Sequence, residues 1–340
     1  MTASDALRPV LSGVVVDPST GVIDRAQLDE YLAAIDRAAE EHRRRTVPDN
    51  TRRAYESDWR VWEAFPAVHG LPPTAVSAGL LVAFVEHLAQ QGKAPSTIDR
   101  RLSGATVVLR EQGVHIDGRW TEQARDALKA VKRRLAEANE KRGRGKARAV
   151  TVQDLRRICA ALPDDLAGRR DRALILLAFT IAGRRSEVAS LLVSDIEEQP
   201  EGLTVTVRVS KTAESARTVA VPWGSHAGTC PVRAWRAWLE ASGITEGPAF
   251  RRINRHGRVL DAGLSGEAVG DIIARRGRAV GLALTGHSLR AGLATEARRA
   301  GHDRKTIAQQ GGWVPTSAVL DEYTRIVDRW SDNAVAGIGL

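Results

Sequence analysis

The sequence contains few of the residues that mark several common classes of protein. Only two of its 340 residues are cysteines, Cys159 and Cys230, and both have apolar neighbours, so buried free thiols are expected rather than a disulfide. Neither has a second cysteine or a histidine at a zinc-binding spacing, which argues against a zinc site. The longest apolar run, residues 174–183, is too short to cross a bilayer, and no signal peptide is recognisable. We therefore expect a cytoplasmic protein that has no membrane partner.

Lysine is scarce as well, since only seven of the 50 basic residues are lysines. The basic residues exceed the acidic ones by nine, and residues 93–148 account for almost all of this excess, with fifteen basic and seven acidic side chains. This concentrated positive charge predicts a polyanionic partner, with nucleic acid ahead of an anionic membrane. Apolar residues make up 43% of the chain and charged residues 27%, which argues for packed cores in about two domains and against a disordered chain.

Helical patterns fill the N-terminal part of the chain. Residues 1–23 lack a periodic pattern and are interpreted as a flexible lead-in. Apolar side chains then recur at helical spacing, as Tyr55, Trp59 and Trp62 do at intervals of four and three. The patterns and their breaks predict helices over residues 24–45, 50–65, 77–91, 95–111 and 121–140. We therefore expect an all-helical bundle over residues 24–140.

The second part of the chain mixes helices with strands. Residues 141–148 carry five cations and two glycines, which indicates a basic linker over 141–150, although a solvated charge run is the alternative. A capping-box pattern at Thr151 opens a second domain, residues 151–340. A buried helix is predicted over 170–182, strands over 203–209 and 218–221, and further helices from Pro231. The expected fold is mainly α, a helical bundle followed by an α+β domain with a small antiparallel sheet.

Two polar features of the second domain could carry chemistry. Arg184 and Glu187 follow the buried helix, and the ordinary interpretation is a salt bridge one helical turn long. Lys211 lies at the turn between the two predicted strands and is one of only two lysines in this domain. A solvated turn residue is the ordinary interpretation of such a lysine.

Two further features lie closer to the C-terminus. His287 and Arg290 are three residues apart and share a face if they lie on a helix. Trp313 follows two glycines, and Tyr323 lies ten residues further along. Taken alone, His287 and Arg290 are explained as polar surface residues, and Trp313 and Tyr323 are explained by packing in the core.

Taken together, these side chains suit chemistry on a phosphodiester. Arginines offer planar pairs of donors to a phosphate, and a lysine can protonate a departing alkoxide. A histidine and an indole N–H can donate to the non-bridging oxygens, while a tyrosine hydroxyl can attack phosphorus and form a covalent intermediate. The sequence has no acidic cluster spaced for Mg²⁺, so these cations would have to stabilise the developing charge.

The order and spacing of these motifs resemble those of the tyrosine site-specific recombinases, the phage integrase family, and of its Cre-like members in particular. The resemblance rests on Arg184-Arg-Ser-Glu187, His287-Ser-Leu-Arg290, Gly311-Gly-Trp313 and Tyr323. It extends to residues 92–98 and to Arg133-Arg134 in the N-terminal half, so it covers the chain from about residue 30 onward.

The resemblance implies a role for each motif. Arg184 and Arg290 would hold the scissile phosphate, and Glu187 would orient its neighbours. The reaction would then conserve bond energy in a covalent link and would need neither a metal, a cofactor nor ATP.

The remaining motifs would supply the nucleophile and the proton transfers. Tyr323 would attack phosphorus and give a 3′-phosphotyrosyl link, and Lys211 would protonate the departing 5′-oxygen. His287 would assist proton transfer, and Trp313 would donate a hydrogen bond to a phosphate oxygen.

The same resemblance implies the partners. The two domains would close as a C-shaped clamp around double-stranded DNA with an inverted-repeat site. A dimer would occupy one site, and a homotetramer would join two sites and pass through a Holliday junction. Residues 333–340 would dock on a neighbouring protomer, with a frayed end as the alternative. The enzyme would be associated with the nucleoid and would be prokaryotic or encoded by a phage or plasmid. A requirement for accessory proteins stays open.

The residues expected to contact DNA are mostly basic. The resemblance implies that a helix over residues 264–280 enters the major groove. Glu267 stands there where Cre-like relatives have an arginine, and it is interpreted as an acceptor for a cytosine amino group. The full set is Lys93, Arg100, Arg101, Arg133, Arg134, Lys141, Arg142, Arg144, Glu267, Arg275, Arg276 and Arg278.

Two other functions stay open on the sequence alone. A type IB topoisomerase-like enzyme would share the phosphotyrosyl chemistry, although the Cre-like helical domain argues against it. A DNA-binding protein without catalytic activity would not need to retain the complete set of reactive side chains.

Overall fold

The computed structural model describes residues 25–46, 49–143, 145, 147–208, 216–331, 333–335 and 338. The chain divides into two compact units, residues 1–145 and 146–340. As predicted, it is mainly helical with a small antiparallel sheet. None of the helices in the described ranges is both long and apolar enough to cross a membrane. The predicted lead-in, residues 1–23, lies outside the described residues.

The first unit is built from five helices, and all five overlap the helices predicted from the sequence. The fifth begins three residues earlier than predicted, because the side chain of Asp117 accepts a hydrogen bond from the backbone N–H of Arg119 and caps it there. The helices are α1 (Arg25–Thr46), α2 (Asp49–Ala67), α3 (Ala78–Gln90), α4 (Pro95–Glu111) and α5 (Gly118–Glu137).

Aromatic packing holds this bundle together. The Trp62 and Phe84 rings are fully buried and meet edge to face, with centroids 5.1 Å apart. The indole N–H of Trp62 donates to the carbonyl of Pro73 at 2.8 Å, so the buried ring leaves no polar atom unpaired. Helix α3 packs on α5 and α2 packs on α4, and the Asp58 side chain of α2 is buried as well.

The second unit contains eight further α-helices and five strands in the described ranges. They are α6 (Val152–Ala160), α7 (Leu166–Thr180), α8 (Arg185–Ser190), β1 (Ile196–Gln199), β2 (Gly202–Val207), β3 (Arg217–Pro222), α9 (Pro231–Ser242), β4 (Arg251–Ile253), β5 (Val259–Gly263), α10 (Gly266–Arg278), α11 (Gly286–Arg299), α12 (Arg304–Gly311) and α13 (Ala318–Ser331).

The two predicted strands form most of a three-stranded antiparallel sheet. The order is β1-β2-β3, and Leu203 pairs with Val221 while Val205 pairs with Val219. These four side chains are buried, so one face of the sheet covers the core. The prediction missed β1, in which only Ile196 is buried, and it missed the separate β4-β5 hairpin, because neither segment shows a clear alternation.

Helix α7 lies at the centre of this unit. It begins at Leu166, four residues before the predicted start, because the Asp165 side chain caps it by accepting from the N–H of Gly168 at 2.7 Å. Its apolar side chains pack on α9. As predicted, Cys159 and Cys230 are buried free thiols.

Two features of the second unit position the reactive motifs. Two residues after the end of α7, Ala182 adopts a left-handed conformation with a φ of 47°, which turns the chain sharply into α8. Helix α13 packs on α11, where the Thr295 hydroxyl donates to the backbone carbonyl of Tyr323 at 3.0 Å. The sharp turn and the helix pair bring side chains more than one hundred positions apart into one site.

Candidate active site

Arg184 and Glu187 form the ion pair expected from their spacing. Arg184 precedes α8, and its backbone N–H and one Nη1–H donate to the two oxygens of the buried Glu187 carboxylate at 2.9 and 2.5 Å. Burial raises the pKa of Glu187, but the hydrogen bonds from Arg184 and the nearby charge of Arg217 outweigh it and hold that pKa below its ordinary value. Glu187 is therefore ionised at neutral pH and fixes the guanidinium of Arg184, which stays one-third exposed.

Arg290 is buried and lies under the Trp313 ring. Its Nη1 donates to the carbonyl of Ala182, and its guanidinium carbon lies 4.0 Å from the centroid of the indole. Its Nη2 is buried and has no hydrogen-bond partner among the described residues. Burial, followed by the charge of Arg184, lowers the pKa of Arg290 to about 10, so it remains a cation at neutral pH. A buried cation with an unused donor is the pattern of an anion-binding group.

The two glycines before Trp313 are both required by contacts at this site. A Cβ on Gly311 would lie 1.8 Å from the Trp313 ring, so only glycine leaves room for the indole. Gly312 has a φ of 62°, and a Cβ there would lie 2.7 Å from Cδ of Arg217. The Gly-Gly-Trp motif thus lets the end of α12 place the indole over Arg290 and its own backbone against Arg217.

Tyr323 lies on α13 beside Trp313. The two rings meet at 66° with centroids 6.1 Å apart, and the tyrosine side chain is half-buried. Burial raises the pKa of Tyr323, Arg290 lowers it and Glu322 raises it, with a net increase over the ordinary value. The hydroxyl is therefore protonated at neutral pH and must lose its proton before or during an attack.

His287 occupies the first turn of α11, one helical turn before Arg290. Partial burial, and then the charges of Arg290, Arg185 and Arg184, lower the pKa of its imidazole. The ring is therefore neutral at physiological pH and can accept a proton. Lys211, predicted as the general acid, lies outside the described residues.

Several predicted DNA contacts in the first unit are already engaged in ion pairs. The described basic side chains from residue 93 to 142 lie mainly on exposed positions, as Lys141 does. Arg100 contacts the buried Asp58 at 2.5 Å and keeps half of its side chain exposed. Arg134 contacts Glu86 at 2.6 Å, whereas Arg144 lies outside the described residues. The other residues of the first unit that were predicted to contact DNA are Lys93, Arg101, Arg133 and Arg142.

The helix predicted to enter the major groove is α10. Arg276 donates through Nε to the fully buried Asp171 at 2.8 Å and is only 17% exposed, so most of its guanidinium faces the protein. Arg275 also reaches Asp171, at 3.3 Å, with more than half of its side chain exposed. Glu267 and Arg278 are exposed near opposite ends of the helix.

Within the described residues, no group of three or more histidine, cysteine, aspartate or glutamate side chains is placed to hold a metal ion. The tail predicted to dock on a neighbour, residues 333–340, is described only at residues 333–335 and 338.

Both units of the chain match known protein families. Residues 148–329 match the phage integrase family, and residues 41–110 match the N-terminal SAM-like domain of phage integrases. The chain is 31% identical over 275 residues to an integrase/recombinase xerD homolog of Selenomonas ruminantium, with 77% of each chain covered. The protein belongs to the phage integrase family. The resemblance identified from the motifs is therefore confirmed.

Other relatives agree with this family. The integrase is 24% identical over 265 residues to the recombinase Cre of Escherichia phage P1, with 72% of this chain and 75% of Cre covered. A Tn1549 transposon integrase in complex with a circular intermediate DNA has the same fold, with a TM-score of 0.58 at 15% identity over 84% of this chain and 92% of that chain. A XerH recombinase bound to a palindromic difH substrate gives a TM-score of 0.54 at 13% identity over 97% and 94%.

The family is that of the tyrosine recombinases, which cleave and rejoin DNA in site-specific recombination. This integrase is therefore an enzyme of that class.

Three residues of the site were missed from the sequence. The carbonyl of Ala182 holds Arg290, and the side chain of Gln310 donates to the carbonyls of Thr180 and Ala220 at 2.9 and 3.1 Å. Arg217 opens β3 and contacts Glu187. An arginine at the start of a strand is ordinary in sequence, so no signal distinguished Arg217 from a surface residue.

Proposed function

We propose that this integrase recombines specific DNA sites by cutting each strand with Tyr323 through a 3′-phosphotyrosyl intermediate. The observation that carries the proposal is the buried Nη2 of Arg290, which lacks a hydrogen-bond partner among the described residues and lies under the Trp313 ring. A phosphate oxygen would supply the missing acceptor. The half-buried Tyr323 ring lies against the same indole, and the charge of Arg290 acts on its hydroxyl, so we assign Tyr323 as the nucleophile for a phosphate held there.

The proposed cleavage step balances without an added oxidant or energy source. The Tyr323 hydroxyl oxygen attacks phosphorus, the bond between phosphorus and the 5′-oxygen breaks, and the DNA is left joined through its 3′-phosphate. His287 is neutral and takes the proton that the tyrosine loses, while Lys211 gives a proton to the departing 5′-oxygen. Attack by the free 5′-hydroxyl of a partner strand reverses the step and exchanges strands through a Holliday junction.

The phosphate would be held by two arginines with different surroundings. Arg184 is partly exposed and oriented by Glu187, so it can approach a backbone phosphate from the surface. Arg290 is buried and offers Nη2 from below. Two cations that converge on one phosphate stabilise the extra charge of the pentavalent transition state.

The remaining assignments concern assembly on DNA. The helical bundle 24–140 and the catalytic domain 151–340 would close around the duplex through the basic linker 141–150. A dimer would occupy an inverted-repeat site, and two dimers would form the tetramer that exchanges strands. The exposed basic side chains that the structure describes between residues 93 and 142 support this arrangement, because they would neutralise phosphates and make binding strongly dependent on salt.

Base reading is assigned to the exposed side chains of α10. Glu267 near its start would accept from a cytosine amino group, and Arg278 at its end would contact guanine or phosphate. Arg276 has a smaller part in this proposal, since its guanidinium is held by Asp171. Site selection with Glu267→Ala tests the assignment, and an unchanged base preference would contradict it.

Covalent trapping tests the proposed chemistry. Wild type, Tyr323→Phe and Tyr55→Phe are incubated with sheared genomic DNA from the source organism, denatured, and assayed for DNA that stays attached to protein. Tyr55 lies in the helical bundle and provides a matched control. We expect attachment by wild type and Tyr55→Phe only, and sequencing of the trapped ends then gives the target site. Attachment by Tyr323→Phe, or none by wild type under conditions of tight DNA binding, would overturn the proposal.

A further inference from the structure

Arg217 contacts three separate segments of the site at once. Its Nη1 donates to the carbonyl of Gln310 at 2.8 Å, and its Nη2 donates to the carbonyl of Ile181 at 2.9 Å. The same Nη2 lies 3.4 Å from Oε2 of Glu187. Its side chain is only 18% exposed, so the guanidinium is largely enclosed by these partners.

Each of these partners supports a different reactive side chain. Glu187 holds Arg184. Ile181 precedes Ala182, whose carbonyl holds Arg290. The third partner, the carbonyl of residue 310, lies at the end of α12, three positions before the indole that covers Arg290.

A fourth contact fixes the arginine against the Gly-Gly-Trp motif. A Cβ on Gly312 would lie 2.7 Å from Cδ and 2.8 Å from Nε of Arg217, so the backbone of the motif rests directly on the arginine side chain. The left-handed conformation of Gly312 ends α12 at this point. Arg217 and Gly312 therefore set each other's position.

A surface ion pair in the same unit shows a different pattern. Arg236 binds one carboxylate, that of Glu198, and both side chains are substantially exposed. Arg217 instead donates hydrogen bonds to two backbone carbonyls and to a buried carboxylate, and these three acceptors lie in three segments. A guanidinium with several directional donors can hold three segments in a fixed geometry, whereas the single ammonium of lysine cannot reach all of them.

We propose that Arg217 is a positioning residue, which holds the supports of Arg184, Arg290 and Trp313 in one fixed arrangement without itself binding the phosphate. The inference rests on the proposed function, because it concerns the rate of the Tyr323 attack. A misplacement of reacting groups by about 1 Å can cost on the order of 100-fold in rate. Loss of Arg217 is therefore expected to slow cleavage by about that factor while DNA binding stays within about threefold.

The test measures cleavage within the bound complex. Target DNA recovered with the wild-type enzyme is mixed with saturating protein, and formation of the covalent complex is followed in time. Wild type, Arg217→Met, Arg217→Lys and the control Arg236→Met are compared. A fall in the rate constant at full amplitude indicates mispositioning, whereas a fall in amplitude at an unchanged rate constant indicates a misfolded fraction. We expect Arg217→Met to lower the rate constant about 100-fold and Arg217→Lys to restore part of it.

A second pair of variants leaves Arg217 unmutated. It tests the same proposal if replacement of Arg217 prevents folding. Gly312→Ala adds a methyl group against the arginine at a φ of 62°, while Gly243→Ala adds one at a φ of 66° that meets no atom within 4 Å. The two changes carry a similar backbone strain. We expect slower cleavage in Gly312→Ala than in Gly243→Ala.

Each outcome has a distinct meaning. If wild type forms no covalent complex with any recovered DNA, the proposed function itself fails. If wild type cleaves and the Arg217 variants keep its rate constant, or Gly312→Ala matches Gly243→Ala, the positioning role is wrong and the proposed function stands. If the Glu187→Gln and Arg217→Met effects on the rate constant multiply independently, the two residues do not act together, which also contradicts the inference.

Discussion

Replacing Glu187 by glutamine removes one negative charge from a group of three arginines. The carboxylate is 3% exposed and accepts from the backbone N–H and Nη1 of Arg184 at 2.9 and 2.5 Å, with Nη2 of Arg217 at 3.4 Å. The amide keeps the volume and one acceptor, but it places an N–H₂ group against guanidinium donors. Loss of one partner from a buried ion pair costs roughly 3–5 kcal/mol, and we expect about 3 kcal/mol because part of the hydrogen bonding survives.

This loss is large enough for thermal unfolding of the whole chain to detect. One kcal/mol corresponds to about 2–4 °C in a unit of this size, so Glu187→Gln should lower the Tm of the second unit by about 6–12 °C at pH 7. Glu198→Gln is the matched control, because Glu198 contacts Arg236 on the surface. Its Tm should stay close to that of the wild type.

The stability that Glu187 contributes depends on pH in a defined direction. The pKa of Glu187 is lower in the folded protein, so its contribution is fully present above its ordinary value of 4.5 and is lost as the pH falls through the folded value. The difference between wild type and Glu187→Gln should therefore be constant between about pH 6 and 8 and shrink below 4.5. An equal Tm change in Glu187→Gln and Glu198→Gln, or a difference that grows in acid, would refute the reasoning.

Three further outcomes follow from the same geometry. Gly311→Ala should slow cleavage by about tenfold or more, because its Cβ would displace the indole that covers Arg290. In the control Gly118→Ala, the added Cβ meets no atom within 4 Å, so its cleavage rate should match that of the wild type. Equal single-turnover rates in the two variants would contradict the assignment. The His287 ring should titrate below the ordinary histidine value in an NMR titration, and a midpoint at or above that value would show that the nearby arginines do not act on it. Burial raises the pKa of Cys159 to about 11, so its thiol should react with a disulfide reagent at pH 8 only after unfolding. Rapid modification of Cys159 in the native protein, located by peptide mapping, would be inconsistent with its burial.

Local patterns in the sequence were sufficient to predict most of the helices and two strands. Thr151 forms a capping box at the start of α6, as its sequence context predicts. Trp62 and its neighbours follow helical spacing because one face of α2 is buried. Short strands such as β4 and β5 were missed because their side chains alternate too weakly to give a signal.

The supports of the candidate active site could not be predicted in the same way. Arg217 has partners 36, 30 and 93 positions away, namely Ile181, Glu187 and Gln310, and no local pattern specifies such contacts. The carbonyl that holds Arg290 belongs to the backbone, which carries no sequence signature. The motif residues themselves were identifiable only as an ordered set with a family resemblance, since each had an ordinary structural explanation.

The most direct test of the central claim is mass spectrometry of the covalent complex. Wild-type integrase is incubated with its recovered target DNA, trapped by denaturation, and digested with nuclease and trypsin. The tryptic peptide of residues 306–325 contains Tyr323 and no other tyrosine. We expect this peptide to carry a nucleotide joined through its 3′-phosphate to the tyrosine oxygen. A nucleotide on any other residue, or an unmodified peptide from a trapped complex, would contradict it.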